Sequence, residues 1–201
     1  MHLKEIPFVC VDLETTGLSL ETSKIVEIGA VKFYPWERDI DTFECLVNPK
    51  INIPEEVIRI HGITDYMVRK SPYIEDVLPD FLNFIGDCPL IAHNADFDFA
   101  FLSKCCTENN TEAPSNAIFD TLRIAQKSVP IRHHNLSSLY YFFGLIVEGK
   151  RHRGLTDAII AARVFELCVD RLGINTYDEL AASHPDIKFR DYVNTKVNTL
   201  F

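Results

Sequence analysis

The stretch Ile6-Pro7-Phe8-Val9-Cys10-Val11-Asp12-Leu13-Glu14-Thr15-Thr16-Gly17 places two acids at the end of an apolar run that stops at a glycine turn. An apolar run of this length, closed by turn residues, reads as a buried central strand. Side chains two apart on a strand share a face, so Asp12 and Glu14 project together from a hydrophobic sheet. An unpaired charge there is costly. Two like charges so placed call for a cation between them, and oxygen ligands suit Mg²⁺ or Mn²⁺. The plainer reading of a lone Asp-x-Glu is a solvated strand end that never meets a metal. The rest of the chain decides between them.

Working outward, residues 6–13, 25–34 and 42–47 read as three strands joined by short polar turns, an antiparallel meander. Residues 48–71 contain Pro49, Pro54 and Gly62 and read as irregular apart from a short helix. A helix is predicted over 74–85, a strand over 89–92, and a second helix from Phe97 to Cys106, broken by Asn109-Asn110. A brief strand at 117–119 precedes helices over 121–127, 136–143 and 155–172, whose apolar residues recur three or four apart. Strands first, then strand alternating with helix, predict an α/β fold: a mixed central sheet, meander plus parallel strands, flanked by helices.

The 201 residues fit one domain with a substantial core. A hydrophobic content of 47% with 24% charged residues is that of a soluble globular chain. No apolar stretch approaches the ~18 residues of a membrane span, and the N-terminus lacks a secretory pattern. No membrane partner is expected. Six cysteines without a C-x-x-C, mostly in apolar surroundings, predict reduced, buried thiols and a cytoplasmic location. The vicinal pair Cys105-Cys106 reads as helix packing, with a redox role as the alternative. The net charge of −9 argues against a nucleic-acid partner. Net charge hides distribution, however. Gly149-Lys150-Arg151-His152-Arg153-Gly154 and Arg132-His133-His134 are basic, and carboxylates that hold cations are not free negative charge.

Two further stretches carry chemistry. Ala92-His93-Asn94-Ala95-Asp96-Phe97-Asp98 lies between a strand and a helix, at the carboxyl end of a strand where α/β proteins place ligands. Its plainer reading is a helix cap by Asn94 or Asp96, with Asp98 favouring the helix dipole. His152-Arg153-Gly154-Leu155-Thr156-Asp157 puts Asp157 in the first turn of the last long helix. A five-residue spacing turns about 140° round a helix, which assigns His152 to a preceding mobile loop. Imidazole is suited to take a proton from water near neutral pH; a basic surface loop is the alternative. Glu27 reads as paired or solvated, not as a ligand, and Phe97 as core.

In order, these residues are Asp12, Glu14, Asp98, His152 and Asp157. Together with Ile25-Val26-Glu27-Ile28-Gly29-Ala30-Val31 and Ile60-His61-Gly62-Ile63-Thr64, the chain resembles the DEDDh 3′–5′ exonucleases, most closely the DnaQ-like proofreading group (the epsilon-subunit type of bacterial DNA polymerase III). The resemblance spans roughly residues 6–172. It implies a ribonuclease H-like domain over 1–173, with 174–201 as a tail that packs on the domain or binds a partner. It further implies two divalent cations, Mg²⁺ or Mn²⁺, held by Asp12, Glu14, Asp98 and Asp157, with Asp12 bridging and His152 as general base. By the same resemblance the backbone around Thr15 and Thr16 holds the terminal 3′-OH and Leu18 wedges against a base. His61-Gly62-Ile63 packs on the terminal nucleotide, and Asn94 supports the phosphate side.

The implied activity is metal-dependent release of nucleoside 5′-monophosphates from single-stranded 3′ ends, with DNA expected and a DNA polymerase catalytic subunit as a partner. An exoribonuclease acting on RNA or short oligonucleotides is the alternative within enzymes. A catalytically silent nucleic-acid-binding or polymerase-docking module is the alternative of another class; the complete set of acids and histidine speaks against it. Lys150 and Arg151 are expected to be exposed cations that steer the substrate backbone.

Overall fold

The computed structural model describes residues 1–184 and 187–188. β1 (Phe8–Thr15) lies inside a six-stranded sheet of order β3-β2-β1-β4-β5-β6. β2 (Ile25–Phe33) and β3 (Ile40–Leu46) follow it as an antiparallel meander. β4 (Leu90–Ala92) and β5 (Ala117–Asp120) run parallel to β1, and the two-residue β6 (Ile187–Lys188) pairs antiparallel with β5. This is the mixed sheet that the sequence predicts. A strand with neighbours on both edges and helices on both faces reads as a continuous apolar run instead of an alternation, which is why β1 stands out.

The helices are α1 (Glu55–His61), α2 (Asp65–Val68), α3 (Ile74–Ile85), α4 (Ala95–Glu108), α5 (Thr121–Ser128), α6 (Leu136–Phe142), α7 (Gly154–Leu172) and α8 (Tyr177–Ser183). α3 has its predicted bounds, whereas α1 and α2 occupy much of the stretch read as irregular. α4 begins two residues before the predicted Phe97, and Asp98 lies in its first turn. β1 begins at Phe8 and extends to Thr15, because Glu14 still pairs with Glu27 across the sheet.

Alternation along β1 sorts the core. Val9, Val11 and Leu13 pack with Leu78 and Phe81 of α3 and Phe99 and Leu102 of α4. Phe8 and Cys10 pack with Ile124 of α5 and Ile160, Val164 and Phe165 of α7. Asp12 and Glu14 continue this second row, so the strand delivers both acids to the α7 side. All six cysteines are free. Burial pushes Cys105 up to about 12 and Cys106 up to about 11, which makes the vicinal pair packing thiols instead of reactive ones.

Residues beyond Gly173 continue as α8, whose Leu180 is buried in the α7-side core. The Leu3 and Tyr177 N–H groups donate to the Asn175 and Met1 carbonyls, tying this segment to the N-terminus. The aromatic stretch at 189–193 lies outside the described residues. Among the described residues, no helix is long and apolar enough to cross a membrane.

The start of α7 lies directly on the backbone of β2. A Cβ on Gly29 would fall within the Gly154 and Leu155 backbone, and one on Gly154 would stand 2.8 Å from Gly29 N and 3.0 Å from Asp12 O. Two glycines face to face are what let the helix approach β1 closely enough to present Asp157 there. Gly29→Ala must push α7 outward, and overpacking of this kind costs about 1–3 kcal/mol. The expected result is a melting temperature lowered by roughly 2–12 °C, read by circular dichroism. An unchanged melt would show that the helix end yields freely.

Candidate active site

Three elements bring four carboxylates together. Asp12 and Glu14 come from β1, the latter directly opposite Glu27 on β2. Asp98, from the first turn of α4, is 4% exposed and accepts the Leu13 N–H through Oδ1 at 2.9 Å. β1 and β4 pair only as far as Cys10 and Ile91, so the carboxylate takes over where that ladder stops and bolts α4 to β1. Asp157, from the first turn of α7, is 6% exposed.

Burial raises Asp12 well above the carboxylate range, and the charges of Asp98, Glu14, Asp157 and Glu27 raise it further. Glu14 is pushed up to about 8 by burial, then by Glu27, Asp157 and Asp98, with Arg153 opposing. Asp98 is pushed up to about 8 by burial and the Asp120 charge, with the Leu13 N–H opposing. Such a group of acids ionises together only around positive charge. All four donors are carboxylate oxygens, the set that hard divalent cations take, so the residues fit such ions by their chemistry. Among the described residues no three His, Cys, Asp or Glu side chains converge closely enough to ligate one ion as they stand. The hydrogen bonds account for this. Asp98 Oδ1 is turned to Leu13, and both oxygens of Asp157 are engaged by the loop before α7.

That loop carries three consecutive functional side chains. Arg151 Nε donates to Asp157 Oδ1 at 2.8 Å, while the His152 N–H donates to Oδ2 at 3.2 Å. The His152 backbone is left-handed (φ 58°), the side chain is half exposed, and Nδ1 stands 3.9 Å from Asp157 Oδ2. Arg153 forks onto Glu27, with Nε 2.9 and 3.0 Å from its two oxygens and a further contact from a terminal nitrogen. The Gly154 N–H completes the set on Glu27 at 2.8 Å. Glu27 is fully buried and, as the sequence suggests, paired. The signal was a lone acid inside a strand with no exposed face. Arg151 corrects the expectation of a free steering cation: its side chain is only 26% exposed and is committed to Asp157. Lys150 remains exposed, lying against Gly62.

The other sequence-predicted residues surround the acids. The Thr15 hydroxyl donates to the Gly17 carbonyl at 2.7 Å, and the Thr16 hydroxyl accepts the Lys24 N–H at 3.0 Å. The Thr16 N–H is itself bonded to the Lys24 carbonyl, so these side chains build the turn that displays Leu18, 80% exposed. His61 is buried at the end of α1. Its Nδ1 accepts the Ile63 N–H at 2.9 Å, which places the ring proton on Nε2, a buried atom without a hydrogen-bond partner. Burial lowers its pKa against the pull of the Thr15 backbone, and the ring is neutral near pH 7. Ile63 is fully buried in a small cluster with Val26, Ile53 and Val68. Asn94 takes the α4 cap position in a left-handed conformation without a side-chain cap bond, and its N–H donates to Asp120 Oδ1 at 3.0 Å.

Two predictions follow from the charges. In the metal-free protein Glu14 and Asp98 keep protons up to about pH 8, whereas the unfolded chain releases them near pH 4. Between these limits the folded state binds more protons, so stability falls as pH rises from about 4 to about 8. Urea unfolding in chelator is expected to show lower stability at pH 8 than at pH 5, and Asp12→Asn to stabilise the metal-free chain and flatten that slope. Equal stability at both pH values would mean the acids do not repel one another in the fold. Arg153→Met strands the fully buried Glu27 carboxylate, at a cost of about 3–5 kcal/mol. Changing Glu27 to Gln in the same chain recovers part of it, and additive losses would show the pair uncoupled.

Comparison with known proteins identifies the family. A family model described as Exonuclease (RNase_T) matches residues 9–165. A DNA polymerase III PolC-type protein of Clostridium perfringens is 33% identical over 90% of this chain, which spans 13% of that protein's length. A putative bifunctional exonuclease/endonuclease protein of Mycobacterium tuberculosis is 35% identical over 93% of this chain and 30% of its own. Among solved structures, exonuclease X in complex with 5′ overhanging duplex DNA superposes with a TM-score of 0.67 at 27% identity, covering 88% of this chain and 98% of that one. The nuclease domain of a DEDDh family member bound to rAMP superposes at 0.71 and 18% identity, covering 85% and 94%, which bears on the fold alone. This chain belongs to the exonuclease family, in its DEDDh, DnaQ-like 3′–5′ branch.

Proposed function

We propose that the chain removes nucleotides from single-stranded 3′ ends of DNA, with Asp12, Glu14, Asp98 and Asp157 holding two divalent cations and His152 acting as general base. The observation that carries this reading is the gathering of four acids from β1, α4 and α7, with Asp12 and Glu14 raised by burial and by the charges of the others, and Asp98 by burial and the Asp120 charge. The family uses divalent metal ions; Mg²⁺ or Mn²⁺ suits an all-carboxylate set. When bound, such a pair polarises the scissile phosphate and activates water. The chain's own residues do the rest. Asp12, on the central strand, would be a ligand to this pair. His152, half exposed beside Asp157, swings in to take the proton of the attacking water. Leu18 and the Thr15–Thr16 backbone hold the terminal nucleotide, with His61 supporting that turn from inside and Asn94 on the phosphate side.

DNA is favoured over RNA because relatives above 30% identity are named as DNA polymerases and the solved neighbour above 25% holds DNA. The same relatives motivate a DNA polymerase catalytic subunit as a partner. The exonuclease domain is assigned to 1–173, with 174–201 appended to it.

The test is hydrolysis of matched 3′-labelled DNA and RNA oligomers. Chelator is expected to abolish turnover and Mg²⁺ or Mn²⁺ to restore it; turnover in chelator with bound metal excluded would refute the mechanism. A circular single strand is expected to survive. His152→Ala is expected to slow the chemical step by roughly 10²–10⁴-fold with metal affinity unchanged by calorimetry. Loss of metal binding in that variant would make His152 a ligand.

A further inference from the structure

We propose that α6 and the segment before it form a platform for the single strand leading away from the 3′ end, built from alternating cations and aromatic rings. This deepens the exonuclease reading and rests on it. Between Thr121 and Arg153 the chain carries six cations against one acid, Glu148, although the whole molecule has a net charge of −9. Arg123 pairs with Asp96 and Asp120, Arg151 with Asp157 and Arg153 with Glu27, so the charge open to a ligand comes from Lys127, Arg132 and Lys150. The basic segment begins at the site itself. Arg151, bonded to Asp157, also reaches the Ser137 hydroxyl at 3.3 Å and lies 5.1 Å over the Tyr140 ring.

Tyr141 follows Ser137 by four residues and so shares its side of the helix, one turn further out. Its ring is 78% exposed. Tyr141 and Phe142 line an open depression with Arg132, His133 and Ser138, and at the far end Arg171 lies 5.8 Å over Phe142. From Asp157 to Arg171 α7 rises about 21 Å, which sets the length of the track. Exposed rings between cations are what a strand of unspecified sequence needs: faces on which bases stack and charges that meet phosphates.

Binding of 5′-labelled thymidine oligomers, a trinucleotide and a twelve-nucleotide strand, is read by fluorescence anisotropy in chelator, so turnover is not required. Tyr141→Ala is expected to weaken the longer strand about tenfold, the size of one base–aromatic stack, and to leave the trinucleotide unchanged; Tyr141→Phe restores wild-type binding. Arg132→Ala is expected to lower the salt slope for the longer strand by about one. Equal loss on both lengths, or no loss on either, overturns the platform. Trinucleotide hydrolysis in Mg²⁺ is measured separately: its absence in the wild type counts against the exonuclease reading and leaves the binding comparison intact.

Discussion

Four carboxylates crowd the end of β1, Asp98 and Asp157 buried and Asp12 and Glu14 half-buried, and the structure around them answers their charge. Each neighbour answers one charge. The Leu13 N–H faces Asp98, Arg151 and the His152 N–H face Asp157, and Arg153 with the Gly154 N–H faces Glu27. Asp12 and Glu14 are left with the charges of the others as their main surroundings. Burying unpaired charge is too costly to be incidental in a folded core. The constraint is met by protonation in the absence of cations, and an all-carboxylate set of this kind would ionise around divalent cations.

The loop before α7 manages two of these charges, Asp157 and Glu27, with consecutive residues. Consecutive side chains can serve opposite directions because His152 is left-handed, a conformation uncommon outside glycine. The chain reverses there, sending Arg151 to Asp157 and Arg153 to Glu27 while the imidazole stays half exposed between them. Strain of this kind persists where surroundings over-determine it, and here two guanidinium anchors do so. The Gly29–Gly154 contact supplies the third support, fixing the helix to which the loop leads. The position of His152 therefore depends on β2 as much as on α7.

Much of this was legible in the sequence, for identifiable reasons. β1 was legible because a strand buried on both faces is apolar throughout, and α3 because its apolar residues recur at helical spacing between two breakers. Asp12 and Glu14 stood out because charge at the end of an apolar strand needs a cause, whereas Asp98 and Asp157 stood out only through the motifs that resemble the exonucleases. Of α1 and α2 only a single short helix without bounds was legible, since seven and four residues are too few for a periodicity to appear. The role of Arg151 was not legible. A run of basic residues reads as solvated surface, and nothing in the linear order says that one of them folds back onto an acid six positions later. His61 shows the same limit: its burial follows from a left-handed turn at Gly62 that folds the chain over it, a tertiary event.

The charge of the molecule illustrates how an average can point the wrong way. A value of −9 suggests a surface that repels phosphate, yet the excess acids lie largely outside the segment that borders the site. Field at a cleft depends on the nearest charges, because at physiological salt those beyond about 8 Å are largely screened. A strand approaching α6 and the 149–153 loop therefore meets a local excess of cations, and then carboxylates whose charge metal ions would neutralise. The acidic remainder acts in the other direction, disfavouring adhesion of nucleic acid elsewhere on the surface. Segregation of charge along the chain would thus favour an approach that leads to the acids of β1.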